Sequence, residues 1–352
     1  MGNPVSAGVH EVQSAGGVAG VEARLNAYLA RQLGRPVTIA RLKQFPSGFS
    51  WITYGFELAA PGIDGFTDVI LRIGPGNGLY APYSAEPQFA ALEAVRGSDV
   101  PAPRGLFWSD DPSILGDPFF LSEKSAGDTP IPWGDDDGLS DASRALLGAQ
   151  FADILGALHT IDWTRTGLAK FGAGATLDNA AALQIDAWEA DHRRRALRPQ
   201  PMLNRAFAWL RAHMPRAERL AIVHGDYRLG NFLEVDGRIT AMLDWELVHI
   251  GDPHEDLAWV CLPQYRSGSP LMSKLVARDA LYARHAARTG VPVDEAKMRF
   301  YTVFSLVKLV ITHAAGVYAF ERNGFHDLRM PAIGTQIAPT LRQIEKLLEA
   351  AP

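Results

Sequence analysis

The chain is poor in cysteine, in basic relative to acidic residues, and in long apolar runs. One cysteine among 352 residues, Cys261, excludes an internal disulfide and favours a reducing compartment. A formal net charge of −5 gives no support to general nucleic-acid binding. No run approaches the ~18 apolar residues that span a bilayer, and the first twenty residues lack a signal-peptide pattern. We therefore expect a cytoplasmic protein with neither a nucleic-acid nor a membrane partner.

The two familiar glycine-rich phosphate-binding patterns, GxGxxG and GxxxxGK[ST], are also missing. The remaining candidate for a phosphate cover is the short turn Ser47-Gly48-Phe49-Ser50 between two predicted strands. Gly48 would let the backbone approach phosphate oxygens, and the hydroxyls of Ser47 and Ser50 can donate hydrogen bonds. A tight hairpin turn without a ligand is the alternative interpretation.

The order of predicted elements indicates an α+β protein with two lobes, because strands dominate the first third and helices the remainder. A length of 352 residues also exceeds a usual single core. We expect a disordered leader over residues 1–20, an N-terminal nucleotide-binding lobe over 21–124 and a C-terminal lobe over 125–352. Strands are predicted at 39–45, 50–59, 67–73, 119–123, 221–223, 231–235 and 238–243, and helices at 21–33, 85–96, 140–159, 183–195, 202–213, 270–289, 294–318 and 338–350.

The most informative segment begins at His224-Gly225-Asp226, which follows the apolar run 221–223. Asn231 comes five residues after Asp226, and Asp244 thirteen residues after Asn231. The intervening strands are joined by Asp236-Gly237, a strong hairpin signal. Such a hairpin would return the chain and place Asn231 beside Asp244. Their side-chain oxygens suit a hard cation such as Mg²⁺.

Asp226 precedes this hairpin on a loop and is therefore the candidate acid for accepting a proton. The spacing H-x-D-x-x-x-x-N followed by a later Asp is typical of phosphotransferases of the kinase type, in which Arg often occupies the position of Gly225. Each residue alone has a simpler interpretation as a turn residue, but their order around a hairpin favours a phosphotransfer site.

A cation for the phosphates is expected from Arg72, which interrupts the apolar strand 69–73. Glu86, in the first turn of the next helix, is its predicted partner; a purely structural ion pair is the alternative. For Asp252, Asp256 and His159 we expect capping or ion-pair roles rather than catalysis.

With these motifs, the chain resembles the aminoglycoside phosphotransferase and choline kinase family from about residue 37 to 325. The resemblance implies a bilobal protein-kinase-like fold and an ATP- and Mg²⁺-dependent transfer to a small-molecule hydroxyl. It implies that Asp226 orients or deprotonates the acceptor, that Asn231 and Asp244 hold Mg²⁺, and that Arg72 contacts the α/β-phosphates. It further implies a hinge whose backbone meets adenine, formed by Leu121, Ser122, Glu123 and Lys124.

Arg72 stands where many such enzymes have Lys, and this feature resembles the kinase-like domain attached to some acyl-CoA dehydrogenases. The apolar segment 306–320 and the basic segment 191–195 favour a neutral or anionic acceptor, such as a hydroxyacyl thioester, over a polycationic aminoglycoside. Two alternative functions are a binding protein and a protein kinase. Arg72 and the minimal glycine turn are compatible with a nucleotide- or metabolite-binding protein of weak activity, whereas the lack of Asp-Phe-Gly and Ala-Pro-Glu argues against a protein kinase.

Overall fold

The computed structural model describes residues 17–46, 48, 50–60, 67–131 and 137–349. Residues 1–16 of the expected leader lie outside this part of the chain, and residues 17–20 form the start of the first helix. The α+β class with a strand-rich N-terminal lobe and a mainly helical C-terminal lobe is confirmed.

The N-terminal lobe is one antiparallel sheet of five strands in the order β1-β2-β3-β5-β4. Two of its elements, β4 and the short helix α3, were not predicted from the sequence. The elements are α1 (Gly17–Leu33), β1 (Thr38–Phe45), β2 (Ile52–Ala59), β3 (Thr67–Ile73), α2 (Glu86–Val95), β4 (Gly105–Ser109), α3 (Pro112–Leu115) and β5 (Phe119–Glu123).

The two faces of the sheet have different partners because side chains alternate along each strand. On β3, Val69, Leu71 and Ile73 are fully buried in a core shared with α1. The intervening Ile70 and Arg72 face the cleft between the lobes. The period-two pattern therefore explains how a charged residue occupies a largely apolar strand.

The C-terminal lobe surrounds the long helix α9 and carries two small strand pairs, β6 with β9 and β7 with β8. Its elements are α4 (Asp141–Leu158), α5 (Ala180–Arg195), α6 (Pro201–Ala212), β6 (Ala221–Val223), β7 (Phe232–Val235), β8 (Arg238–Met242), β9 (His249–Gly251), α7 (His254–Val260), α8 (Arg278–Thr289), α9 (Glu295–Arg322), α10 (Arg329–Gly334) and α11 (Ile337–Glu349).

Local signals set several boundaries. Asp236 and Gly237 have φ values of 50° and 76°, as a two-residue turn with left-handed backbone requires. Ser140 caps α4 by accepting the Ser143 backbone N–H. The predicted helix 270–289 was too long, since α8 begins at Arg278 and the preceding residues form turns.

Helix α9 is, within the described ranges, the one helix long and apolar enough to cross a membrane by composition. However, 67% of its most apolar window is buried inside the protein. Its apolar character is thus accounted for by a central position in the core of the C-terminal lobe.

A glycine within α4 provides a stability test. A Cβ added to Gly148 would lie 2.4 Å from the carbonyl oxygen of Leu275. Alanine at an unobstructed helical site gains about 1 kcal/mol over glycine, whereas overpacking costs about 1–3 kcal/mol. We expect Gly148→Ala to lower the free energy of unfolding by up to about 2 kcal/mol in urea titrations. Ala145→Gly, at an exposed site on α4, calibrates the propensity difference. A more stable Gly148→Ala would contradict the close approach.

Candidate active site

A cavity of about 730 Å³ lies between the two lobes and collects most of the residues predicted from the sequence. The N-terminal lobe contributes its glycine turn, β3 and the end of β5. The C-terminal lobe contributes the loop after β6 and the segment after β8. Of the predicted residues, those that line the cavity are Gly48, Ser50, Arg72, Ser122, Glu123, Lys124, Asp226, Asn231 and Asp244.

The loop after β6 is held by an element that the sequence did not connect with it. Asp256, on α7, is fully buried and accepts the backbone N–H groups of His224 at 2.7 Å and Gly225 at 2.9 Å. Gly225 has φ +84°, and a Cβ there would lie 2.6 Å from the Leu247 carbonyl oxygen. This close approach explains glycine where a larger residue is common. Asp256 therefore has the expected structural role, and it holds the candidate catalytic loop.

Two histidines extend the support of Asp256 into the core. His159 Nε2 lies 3.1 Å from the Asp256 carboxylate, and His159 Nδ1 lies 2.8 Å from Nε2 of His285 on α8. Burial opposes ionisation of Asp256, but the hydrogen bond and charge of His159 hold its pKa below the ordinary value. Burial and then His159 lower the pKa of His285 to about 2. This series of hydrogen bonds agrees with a neutral His285 and an ionised Asp256.

His224 links this loop to the end of β8. Its Nε2 donates to the Leu243 carbonyl at 2.9 Å, while its Nδ1 accepts the Asp226 backbone N–H at 3.3 Å. Burial lowers the pKa of His224, which agrees with a neutral ring that donates through one nitrogen and accepts through the other.

The Asp226 carboxylate is held by three side chains within the described part of the chain. Arg228 Nε and Trp259 Nε1 each donate to its Oδ1 at 2.8 Å, and Asn231 Nδ2 donates to its Oδ2 at 2.6 Å. Asn231 Nδ2 also reaches the Asp226 carbonyl oxygen at 2.8 Å. Because the amide nitrogen is directed to these two oxygens, the amide oxygen of Asn231 points away from Asp226.

The hairpin brings Asn231 and Asp244 together, as its turn chemistry predicted. Phe232 pairs with Met242, and the Leu243 N–H donates to the Asn231 carbonyl at 2.8 Å. Asp244 then has φ 66°, a left-handed conformation that Asp tolerates better than most residues. The two side chains offer an amide oxygen and a carboxylate, which are hard donors suited to Mg²⁺.

The side-chain oxygens of Asn231 and Asp244 supply only part of the ligands that a magnesium ion requires. Within the described ranges, no group of three or more His, Cys, Asp or Glu side chains is arranged as a metal site. An ion at Asn231 and Asp244 would need further oxygen ligands, and Mg²⁺ commonly takes these from substrate phosphates and water. The arrangement thus suits an ion that arrives with a phosphorylated ligand.

The predicted ion pair between Arg72 and Glu86 is wrong. Arg72 Nη2 instead donates to Asp244 Oδ1 at 2.9 Å, while Glu86 pairs with Lys170 of the C-terminal lobe. Arg72 also lies over the rings of Trp51 and Phe120 at 5.9 and 6.0 Å. Glu86, the first residue of α2, is directed to Lys170 at the surface. Arg72 therefore pairs with an acid on the other side of the cleft. Burial opposes ionisation of Asp244, yet Arg72 keeps its pKa below the ordinary value.

The glycine turn is described in part, because Ser47 and Phe49 lie outside the described residues. Gly48 has φ +108°, a conformation that favours glycine. Ser50 Oγ donates to Glu246 and the Ser50 carbonyl accepts Tyr83 Oη at 2.9 Å. Ser50 thus ties the turn to the segment 244–246, where burial and the nearby Asp244 raise the pKa of Glu246 to about 8.

The predicted hinge reaches the cavity only in part. Leu121 is fully buried against the α1 core and pairs with Leu71 and Phe107 on its two sides, so it does not reach the cavity. The backbone N–H groups of Glu123 and Lys124 donate to carbonyls of the protein at 2.9 and 3.0 Å. Ser122, Glu123 and Lys124 do line the cavity, together with Ser125 and Gly127.

Several residues of the site were not found from the sequence. Gln88 is 2% exposed and lines the cavity, and its amide atoms have no hydrogen-bond partner among the described residues. Arg228 lies two residues from Asp226, and its guanidinium covers the Tyr265 ring at 5.2 Å. Gln88 is identified only by its position in the fold, whereas the proximity of Arg228 to Asp226 is visible in the sequence.

The basic segment 191–195 does not line the cavity. Arg193 pairs with Glu189 at 2.6 Å, and Arg194 and Arg195 both pair with Asp191. Its arginines are therefore engaged by nearby acids, and this segment gives no support to an anionic acceptor.

Comparison with known proteins places this geometry in a family. A family model described as "Phosphotransferase enzyme family" matches residues 41–301. The chain is 31% identical over 286 residues to acyl-CoA dehydrogenase family member 10 of Mus musculus, covering 79% of this chain. It spans only 25% of that relative's length. The resemblance to the kinase-like domain of such proteins is thus confirmed.

Solved structures show the same fold. A protein from Ralstonia eutropha, provisionally assigned as an aminoglycoside phosphotransferase, has a TM-score of 0.70 and 24% identity, with 94% of this chain and 99% of that one covered. Aminoglycoside phosphotransferase APH(4)-Ia, solved with AMP-PNP and hygromycin B, has a TM-score of 0.54 and 15% identity, with 93% and 99% covered. The kinase-like bilobal class is confirmed.

The buried histidine pair predicts a pH effect on stability. Because the folded-state pKa of His285 lies near 2 and its ordinary value is 6.5, the unfolded chain binds a proton below about pH 6.5 that the folded chain does not bind. Stability should therefore fall with decreasing pH by about 1.4 kcal/mol per unit from this group alone. We expect His285→Gln to reduce that slope between pH 6 and 4 in denaturant titrations, with exposed His326→Gln as control. An unchanged slope would contradict the assignment.

Proposed function

The chain belongs to the phosphotransferase enzyme family, and from this premise we propose that it transfers the γ-phosphoryl group of ATP to a hydroxyl group of a small molecule with Mg²⁺. The observation that carries the proposal is the convergence of Asp226, Asn231 and Asp244 on one wall of the cavity with Arg72 opposite. Phosphoryl transfer requires an oriented acceptor, neutralised phosphates and little covalent chemistry, and these residues meet that requirement.

Asp226 is the proposed base. Its Oδ1 already accepts two hydrogen bonds and its Oδ2 one, so Oδ2 retains a lone pair for the acceptor hydroxyl. The amide oxygen of Asn231 and the Asp244 carboxylate would hold Mg²⁺, which neutralises charge on the phosphate oxygens.

Arg72 and the glycine turn are proposed to receive the nucleotide. Arg72 reaches Asp244 with Nη2, while its buried Nε has no partner among the described residues, so the guanidinium retains donors suited to phosphate. Gly48, Ser50 and Ser122, which belong to the same lobe as Arg72, also line the cavity. The AMP-PNP complex of APH(4)-Ia supports ATP as the donor.

For the acceptor we propose a neutral or anionic hydroxy compound, with a hydroxyacyl thioester favoured over an aminoglycoside. Beyond Asp226 the cavity is bounded by Tyr265, Leu309 and His313, and Arg228 lies beside the base. Burial lowers the pKa of His313 to about 4, so this ring is neutral near pH 7. Tyr265, Leu309 and this neutral ring suit the apolar chain of an acyl group better than a polycation.

An alternative is a protein that binds the nucleotide and transfers phosphate weakly. The ion pair between Arg72 and Asp244 favours it, because the proposed metal ligand is already engaged by a cation at 2.9 Å. Slow ATP consumption that disappears in Asp226→Asn would count against this alternative.

The metal assignment predicts how nucleotide binding depends on Mg²⁺. We expect Mg²⁺ to tighten ATP binding to the native chain by about 10-fold or more, and this gain to vanish in Asp244→Ala because the carboxylate ligand is lost. Isothermal titration with and without Mg²⁺ measures it. Equal gains in both proteins would refute the role of Asp244.

The role of Asp226 predicts a large effect on turnover. Asp226→Asn keeps the shape of the side chain but removes the base, so ATP consumption should fall by about 100-fold or more. Candidate acceptors are hydroxyacyl-CoA thioesters, choline-like alcohols, sugars and aminoglycosides. The same change at Asp279, exposed on α8, is the matched control. Comparable turnover in Asp226→Asn and native protein would overturn the proposal.

A further inference from the structure

The hydrogen bonds to Asp226 come from two sources. Arg228 and Asn231 belong to the same loop as Asp226, so they move with it. Trp259 comes from α7, and its indole N–H reaches Asp226 Oδ1 at 2.8 Å. Trp259 is 3% exposed and packs against Tyr265 with ring centroids 5.7 Å apart. Among these three donors, Trp259 therefore fixes the carboxylate relative to the body of the C-terminal lobe.

A buried cation lies over the indole ring of Trp259. Lys308, on α9, is 1% exposed, and its Nζ lies 4.8 Å from the Trp259 ring centroid. The rings of Trp188 and Phe304 lie 5.5 and 5.8 Å from the same atom. An ammonium group so far from water requires compensation, and three aromatic faces supply part of it.

One carboxylate completes the surroundings of this cation. Glu255, on α7, accepts Lys308 Nζ through Oε1 at 2.7 Å and His249 through Oε2 at 3.1 Å. Burial opposes its ionisation, but Lys308 and then His249 lower the pKa of Glu255 to about 2. Lys308 is thus held by an ion pair at a fixed place on the ring face of Trp259. Trp259 itself lies four residues after Glu255 on α7.

This arrangement has an electrostatic consequence. A cation on the face of an indole draws electron density toward itself and makes the ring N–H a stronger donor, as neighbouring charges polarise hydrogen bonds in a low-dielectric interior. The N–H points at Asp226 Oδ1. With Arg228, this donor gives Oδ1 two hydrogen bonds, whereas Oδ2 accepts one and retains a lone pair for an acceptor hydroxyl.

We propose that Trp259 is a positioning residue for phosphoryl transfer, which orients Asp226 through its indole N–H and is itself polarised by Lys308. The inference rests on the proposed role of Asp226 as the base. A purely structural tryptophan would affect stability and nucleotide binding together, whereas a positioning residue affects turnover selectively.

The contact can be tested without turnover. The eight tryptophans give eight indole N–H signals in a ¹⁵N–¹H spectrum of the full chain, and Trp259→Phe identifies one of them by its loss. We expect this signal to lie downfield and to move upfield in Asp226→Asn, but not in the exposed control Asp279→Asn. A Trp259 signal that ignores Asp226→Asn would overturn the proposal.

The contribution of Lys308 needs a double variant, because removing one partner would leave an uncompensated buried charge. Lys308→Met combined with Glu255→Gln removes both charges and keeps similar volumes. We expect the Trp259 signal to move upfield in this variant although Asp226 is intact. An unmoved signal in a folded variant would refute polarisation by Lys308.

Kinetics separate positioning from structure. For Trp259→Phe we expect kcat of ATP consumption to fall about 10- to 100-fold, since a hydrogen bond to a charged group is lost, with an unchanged Kd for Mg²⁺·ATP. Trp209→Phe, remote from the cavity, is the control for a Trp→Phe change. An unchanged kcat, or parallel losses of kcat, nucleotide affinity and thermal stability, would overturn the proposal. If the native chain consumes no ATP, the proposed function fails, and the indole signal alone decides the contact.

Discussion

The candidate site depends on one buried carboxylate that binds backbone rather than ligand. Asp256 accepts two successive N–H groups at His224 and Gly225 and is itself held by His159. Backbone donors inside a core must be satisfied, and a left-handed glycine turn has no helical or sheet partners to satisfy them. The carboxylate replaces those partners and so holds the loop in place. The position of Asp226, the next residue of that loop, follows from this contact.

The segment 244–246 connects the lobes as well as lining the cavity. Asp244 accepts Arg72 from β3, and Glu246 accepts Ser50 from the turn before β2. The two acids differ in their surroundings: the guanidinium holds the pKa of Asp244 down, while burial and the neighbouring charge raise that of Glu246. Two carboxyl groups so close cannot both ionise freely. A bound nucleotide would therefore meet residues that already set the distance between the lobes.

The sequence predicted those features that arise from local chemistry. The Asp236-Gly237 turn, the strand that carries Arg72 and the adjacency of Asn231 and Asp244 follow from local pattern and turn type. It failed where partners come from distant segments. Arg72 was assigned to Glu86 because that acid is near in sequence, yet Asp244 is nearer in space. Leu121 was placed in the hinge, although the alternation of β5 turns it into the α1 core. Trp259 and Gln88 gave no local signal because their roles arise only from tertiary packing.

The orientation of Asn231 explains why an amide occupies that position. One end of the side chain gives its N–H to Asp226 at 2.6 Å, and the amide oxygen at the other end points away from Asp226. A carboxylate would be the stronger cation ligand, but it would repel Asp226 across the same short distance unless it carried a proton. An amide combines a donor and an acceptor without net charge, and exchanging its two ends would break the hydrogen bonds to Asp226. Asparagine thus holds the proposed base while it keeps a neutral oxygen for the proposed cation site.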